Sequence, residues 1–201
     1  MDFNRREFLA LTGSAVAVRF DAGATTPDLD RAIAVLHLED QGHLLESVKG
    51  YQRALGALGI PAVAASESSV VMAAYRGATV IIEAGGTAHD ALTALGVNAE
   101  QPRNLWRRGF SPAIPNVGSA IPYIDYSWPI AVKVRDFSRV VPLSGPGWDH
   151  IAEVDGVCVG LTRRIGRGRL VVLGSPLGPV LLGEDREAHE WLAALLAKER
   201  T

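Results

Sequence analysis

The sequence predicts an α/β protein with a mostly parallel central sheet layered against helices and closed by a C-terminal β-hairpin and a terminal helix. Three observations carry this. Between Ala32 and Leu95, apolar strand-like runs alternate three times with stretches of helical period, and parallel strands joined by helical crossovers are the simplest arrangement for that order. Gly156 to Leu182, GVCVGLTRRIGRGRLVVLGSPLGPVLL, reads as two strands around a glycine-arginine turn and then a glycine-proline loop. Leu170 to Leu173 within it is a leucine and β-branched run of the kind buried on both faces, so this strand is expected at the centre. The third observation is the amphipathic stretch from Arg186 to Lys198, which ends the fold as a helix.

At 201 residues, 48% hydrophobic and 21% charged, the chain can bury a sizeable core, and one domain is the economical reading. A formal charge of −2 gives no electrostatic reason to expect nucleic acid as a partner. The single cysteine, Cys158, excludes an intramolecular disulfide and a cysteine-rich zinc site. Its place on an apolar strand fits a buried structural thiol better than a nucleophile.

Taken in order, the chain opens with an address. Asn4, Arg5, Arg6, Glu7, Phe8 and Leu9 resemble the twin-arginine export motif, and the apolar run Phe8 to Val18 is too short for a membrane span, which needs about 20 residues. Ala22, Gly23 and Ala24 supply a small-x-small cleavage pattern. Residues 1–24 are therefore expected to be a twin-arginine signal peptide, cleaved after Ala24 or kept as an anchor, and residues 25–201 a single domain. The alternative is an ordinary amphipathic first helix with a chance arginine pair. The twin-arginine translocase is the partner this implies, and folded cargo of that pathway often carries a cofactor or a second protein, without the sequence choosing between them.

Ala32 to Leu38 reads as the first buried strand, followed by the polar cluster Glu39 to His43. Leu44, Leu45, Val48, Tyr51, Leu55 and Leu58 recur at helical spacing, with Gly59 placed to stop the helix. Ile60 to Ala65 is the second strand, and Ser66 to Tyr75 the second helix. Thr79 to Ala84 is the third strand, which Gly85, Gly86 and a helical stretch from Thr87 to Leu95 follow. From Gly96 to Trp148 prolines and aromatics punctuate an irregular segment, including short strands expected at Ile130 to Val134 and Arg139 to Leu143. Its aromatics either cover an edge of the sheet or form a binding surface, Asp125, Tyr126 and Trp128 being one such group.

On AIAVLHLED, LGALGIPAV, VIIEAGG and GRGRLVVLGSPLGP followed by an acidic helix start and EWLAALL, the chain resembles the class I glutamine amidotransferase-like superfamily. The resemblance implies a flavodoxin-like three-layer sandwich. Catalytic members carry a cysteine at a glycine-flanked elbow and a histidine after the last strand. Here no cysteine follows the first three strands, and Gly174, Ser175, Pro176 and Leu177 follow the last without a histidine. The resemblance thus implies a non-catalytic member and no thiol-dependent glutamine hydrolysis.

In an open α/β sheet ligands gather beyond the carboxyl ends of the strands. The candidate binding residues are Glu39, Asp40, His43, Glu83, Gly85, Gly86, His89 and Ser175. Gly85 and Gly86 with the next helix N-terminus can present backbone N–H groups to an anion, or can simply make a tight turn. The carboxylates and imidazoles can form an acid/base pair or a metal site, or act as caps and solvated side chains. Asp149 and His150 form a further polar pair. No nucleophile-elbow motif, phosphate loop or zincin pattern occurs, and no catalytic or metal residue is assigned. The expectation is an exported domain that binds a small molecule or serves as an accessory subunit of a periplasmic complex. The alternatives are a periplasmic enzyme acting on a sugar or small polar substrate, and an assembly factor for a twin-arginine cargo.

Overall fold

The computed structural model describes residues 33–37, 41–60, 62–64, 67–84, 90–104, 123–135 and 139–199. The signal segment 1–24, Ser66, the polar positions Glu39, Asp40, Gly85, Gly86 and His89, and Trp106 and Phe110 lie outside them.

The chain runs β1 (Ile33–His37), α1 (Gln41–Gly56), β2 (Ala62–Ala64), α2 (Glu67–Arg76), β3 (Thr79–Glu83), α3 (Asp90–Ala94), β4 (Asn98–Ala99) and β5 (Arg103–Asn104). It continues through β6 (Tyr123–Tyr126), β7 (Val132–Arg135), β8 (Arg139–Val140), β9 (Leu143–Ser144), β10 (Asp149–Val154), β11 (Val157–Ile165), β12 (Gly168–Leu173), α4 (Gly178–Leu182) and α5 (Arg186–Glu199). Among the described residues, eight strands form one sheet in the order β2-β1-β3-β12-β11-β10-β6-β7, and β4–β9 and β5–β8 make two short separate ladders.

The sheet corrects the expectation of a mostly parallel one. β2, β1, β3 and β12 pair parallel, whereas β12, β11, β10, β6 and β7 pair antiparallel. The reason is the length of the connections. Asp155 and Gly156, with φ of 49° and 73°, form a two-residue turn between β10 and β11, and Gly166 with Arg167 does the same between β11 and β12. Such turns can join only antiparallel neighbours, and a helical crossover needs a dozen or so residues. Of the arginines that the sequence sets between the two strands, Arg163 and Arg164 continue β11 and Arg169 belongs to β12, which leaves Arg167 in the turn. The expected hairpin is otherwise present, and β12 is central and buried at all six positions.

Core side chains lie on both faces. Tyr51, Leu55, Leu181, Trp191, Leu192 and Leu195 from α1, α4 and α5 pack with Ile81, Val171 and Leu173. Ala73, Ala74, Leu92, Leu95, Leu143 and Trp148 pack with Val80, Ile82, Leu170 and Val172, their alternate neighbours on the same strands. α1 turns Ser47, Gly50, Tyr51, Ala54 and Leu55 inward, a spacing of three and four that defines one face. Leu58, expected on that face, lies past the helix end and is exposed. Pro142 divides the expected strand Arg139 to Leu143 into β8 and β9, consistent with the donor that proline lacks.

The aromatic segment is largely core where it is described. Tyr126 is buried with its ring centroid 4.9 Å from that of Trp191. Trp191 Nε1–H donates to the Trp128 carbonyl at 2.7 Å, and the Arg169 guanidinium lies 4.5 Å from the Trp128 ring centroid. On the opposite face Arg163 lies 4.5 Å from the Trp148 centroid, and both donate to the Leu95 carbonyl. Asp125 faces away from Tyr126 and pairs with Lys133 at 2.9 Å, so these residues do not form one stacking surface.

Candidate functional site

The parallel pairing of β3 with β12 sets Glu83 beside Leu173 at the carboxyl ends of the two strands. The side chain of Glu83 is fully buried there. Its Oε1 accepts from Leu177 N–H at 2.8 Å, Gly178 N–H at 3.0 Å and the Tyr51 hydroxyl at 2.9 Å. Its Oε2 accepts from the Ser47 hydroxyl at 2.5 Å. Three donors thus meet at Oε1 and one at Oε2, so the buried carboxylate is held by groups of the chain itself.

Local sequence explains why the donors converge. Ser47 and Tyr51 are four residues apart and share a face of α1. The chain leaving β12 turns through Ser175 and Pro176 into α4, whose opening amides lack partners within the helix. Glu83 satisfies two of them from a neighbouring strand. The approach is close enough to require glycine on both sides. A Cβ on Gly50 would stand 1.8 Å from the Gly178 carbonyl oxygen, and one on Gly178 would stand 2.3 Å from Ser47 Cα. Tyr51 is itself buried, and that burial, followed by the charge of Glu83, raises its phenol well above the ordinary value. The phenol therefore remains a donor.

Of the residues proposed from sequence, the structure brings Glu83 and Ser175 to the same end of the sheet, Ser175 buried just beyond β12. His43 belongs to α1, but its side chain lies outside the described residues, as do Glu39, Asp40, Gly85, Gly86 and His89. Asp149 and His150 are exposed on β10, which β11 separates from β12. Sequence reasoning misses Ser47 and Gly50, reaches Leu177 and Gly178 only as part of the loop Ser175 to Gly178 beyond the last strand, and places Tyr51 only in an apolar stripe. Their signal is the pair of small residues Ser47 and Gly50 on the inward face of α1, which allow another backbone to come close.

Among the described residues no group of three or more His, Cys, Asp or Glu is placed to hold a metal ion, and no helix is long and apolar enough to cross a membrane. Cys158 is half-buried in β11, its thiol donates to the Gly160 carbonyl at 3.4 Å, and burial raises its pKa. A thiol so placed is a poor nucleophile. What the arrangement around Glu83 does chemically is join three elements: β3, α1 and the start of α4.

No protein-family model matches the chain, and no curated protein matches its sequence. Among solved structures, a β-galactosidase from Rahnella sp. R3 is 11% identical with a TM-score of 0.57, over 84% of this chain and 31% of that one. The chain thus spans about a third of that enzyme's length. Cytoplasmic protein STM3548 from Salmonella typhimurium is 6% identical with a TM-score of 0.50, over 87% of this chain and 76% of the other. A ThuA-like protein from Bacteroides uniformis is 6% identical with a TM-score of 0.41, over 87% and 93% of the two chains, a likeness too slight to argue from. What the chain shares with its structural neighbours is an α/β fold.

Proposed function

We propose that the chain is an exported, non-catalytic domain of the class I glutamine amidotransferase-like kind that works by binding, as the accessory subunit of a periplasmic complex or as the holder of a small molecule. The observation that carries this is the engagement of Glu83. It stands where an α/β enzyme of this plan would place reactive groups, yet its oxygens receive donors from the chain itself. A carboxylate so held is committed to architecture. Two further points support the reading: the one thiol is half-buried in a different strand, and a similar fold forms about a third of a larger enzyme chain, where it accompanies other material. The twin-arginine motif at Arg5 and Arg6 supports export.

Native mass spectrometry of the protein recovered from the periplasm of an expressing cell tests the proposal. The expected result is a mass beginning at Thr25 with a second protein or a small molecule attached. A protein that retains its N-terminus in the cytoplasm would remove export from the reading. Turnover of a sugar or small polar substrate, abolished by Glu83→Gln with the fold intact, would overturn the non-catalytic assignment.

A further inference from the structure

Arg169 pairs with Thr79 at the amino ends of β12 and β3, the end of the sheet opposite to Glu83, and positive charge is concentrated there. The turn between β11 and β12 is seated on the last turn of α2. Arg167 N–H donates to the Tyr75 carbonyl at 3.3 Å, and the Arg167 guanidinium donates to the Arg76 carbonyl at 2.6 Å. A Cβ on Gly166 would stand 2.5 Å from the Tyr75 carbonyl oxygen, so turn and helix end make one fixed surface. Arg76, Arg164 and Arg167 are exposed on it, and Tyr75 is 60% exposed.

Two observations show that the fold does not neutralise this charge. Among the described residues, none of Arg76, Arg163, Arg164 and Arg167 forms an ion pair with a carboxylate. The hairpin register also sets Arg164 directly opposite Arg169, and like charges facing each other across a ladder destabilise it. Arg169 turns inward, donating to the Thr162 hydroxyl at 3.2 Å with its guanidinium over Trp128, whereas Arg164 is left in solvent. The negative end of α2 accounts for Arg76 and Arg167. It does not account for Arg164.

We propose that this end of the sheet docks an acidic segment of a partner protein, an extended stretch of Asp and Glu side chains. Guanidinium forks match carboxylates, and the charges do not converge on one point. Arg163 and Arg164 are successive in β11 and leave opposite faces of the sheet, while Arg167 sits at the tip between the strands. A single small anion meets one of them; a chain of carboxylates meets several. Tyr75 is the one exposed large hydrophobic residue described on α2, β11 and β12. An oligonucleotide would need several rings to stack on, and a membrane surface an apolar face to bury. The acidic start of α5 in a second copy is a poorer match, because Glu184 and Glu190 are already paired with Arg53 and Arg186. The proposal deepens the accessory-subunit reading above and rests on it for the existence of a partner.

The test is fluorescence anisotropy of a labelled octaglutamate peptide with the purified full chain at low salt, with an oligothymidylate of equal length and phosphatidylglycerol vesicles as comparisons. Saturable binding of the peptide is expected, weakening steeply as salt rises. Arg164→Glu is expected to weaken it about tenfold, and Arg135→Glu, the same charge change on the outermost strand, to leave it unchanged. Because Arg164→Glu sets opposite charges across from Arg169, its thermal midpoint should hold or rise by up to about 3 °C, which separates a lost contact from a lost fold. If that midpoint falls instead, Arg76→Ala, at an exposed helix end, carries the same test with a loss of about threefold. Absence of saturable binding overturns the proposal, as does an equal loss in Arg135→Glu or tighter binding of the oligonucleotide or the vesicles. A dimer at low salt that Arg164→Glu abolishes would give the surface to a second copy and overturn the acidic partner. A peptide that fails to bind, to a protein that still carries a partner from the periplasm, sinks this surface and spares the accessory-subunit reading.

Discussion

Glu83 joins residues that are far apart in sequence: Tyr51 is 32 positions away, Ser47 36, and the Leu177 amide 94. Replacing it by alanine leaves those donors buried without an acceptor, and Glu83→Ala is expected to destabilise by about 3–5 kcal/mol in urea unfolding. Tyr51→Phe removes one donor and should cost about 1–3 kcal/mol at neutral pH. The pH dependence follows from the raised phenol. Because the folded-state value lies above the ordinary 10.0, the contribution of Tyr51 is fully present below that value and is lost as pH rises through the higher one. Melting temperatures between pH 8 and 12 should therefore fall less steeply in Tyr51→Phe than in the native protein. At Cys158, where burial raises the thiol, labelling by a thiol reagent at pH 7.5 should be slower than that of a free cysteine, and equal rates would contradict the assignment. The place of Glu83 at a strand end is legible in the sequence, because TVIIEA is an apolar run that meets a polar residue. Its partners are not, because periodicity reports which face a side chain occupies and says nothing of what lies across the gap.

Among elements, α1 and α4 are the pair whose geometry depends most on single atoms. Gly50→Ala puts a methyl group against the Gly178 carbonyl, and a destabilisation of at least about 2 kcal/mol is expected. At Gly56, the end of the same helix, an added Cβ would meet no atom within 4 Å. Gly56→Ala should be neutral or stabilise by about 0.5–1 kcal/mol. If the two substitutions had equal effects in the same unfolding assay, close helix approach would not be the explanation. α1, α2, α5 and the first three strands are readable because their apolar spacing is regular, whereas α4 forms in the stretch expected to be a glycine-proline loop. β10 is not readable. Asp149, His150 and Glu153 interrupt its apolar run, and a register irregularity between His150 and Glu153 leaves both Ile151 and Ala152 buried, which breaks strict alternation. The Asp155-Gly156 pair nevertheless carries a strong hairpin signal, since both turn residues adopt positive φ. That dipeptide alone implies an antiparallel pair, and with it a mixed sheet.

For the whole molecule, the sheet is two kinds of structure fused along β12, parallel on the β3 side and antiparallel on the β11 side. Its α1, α4 and α5 face is closed by Trp191, fully buried and bonded to the Trp128 carbonyl. Trp191→Ala should cost about 3–5 kcal/mol, and Trp191→Phe should recover most of it, less the hydrogen bond. The α/β class is legible in the alternation of elements, but the strand directions depend on loop lengths. The place of β12 also governs the order in which the molecule can be made. The strand at the middle of the sheet begins at Gly168 of a 201-residue chain. Until the ribosome has released it, β3 and β11 each present a bare backbone edge with no neighbour. The two halves therefore close only once β12 has been made, and a chain interrupted before Gly168 would be left with two adhesive edges, a substrate for chaperones and proteases.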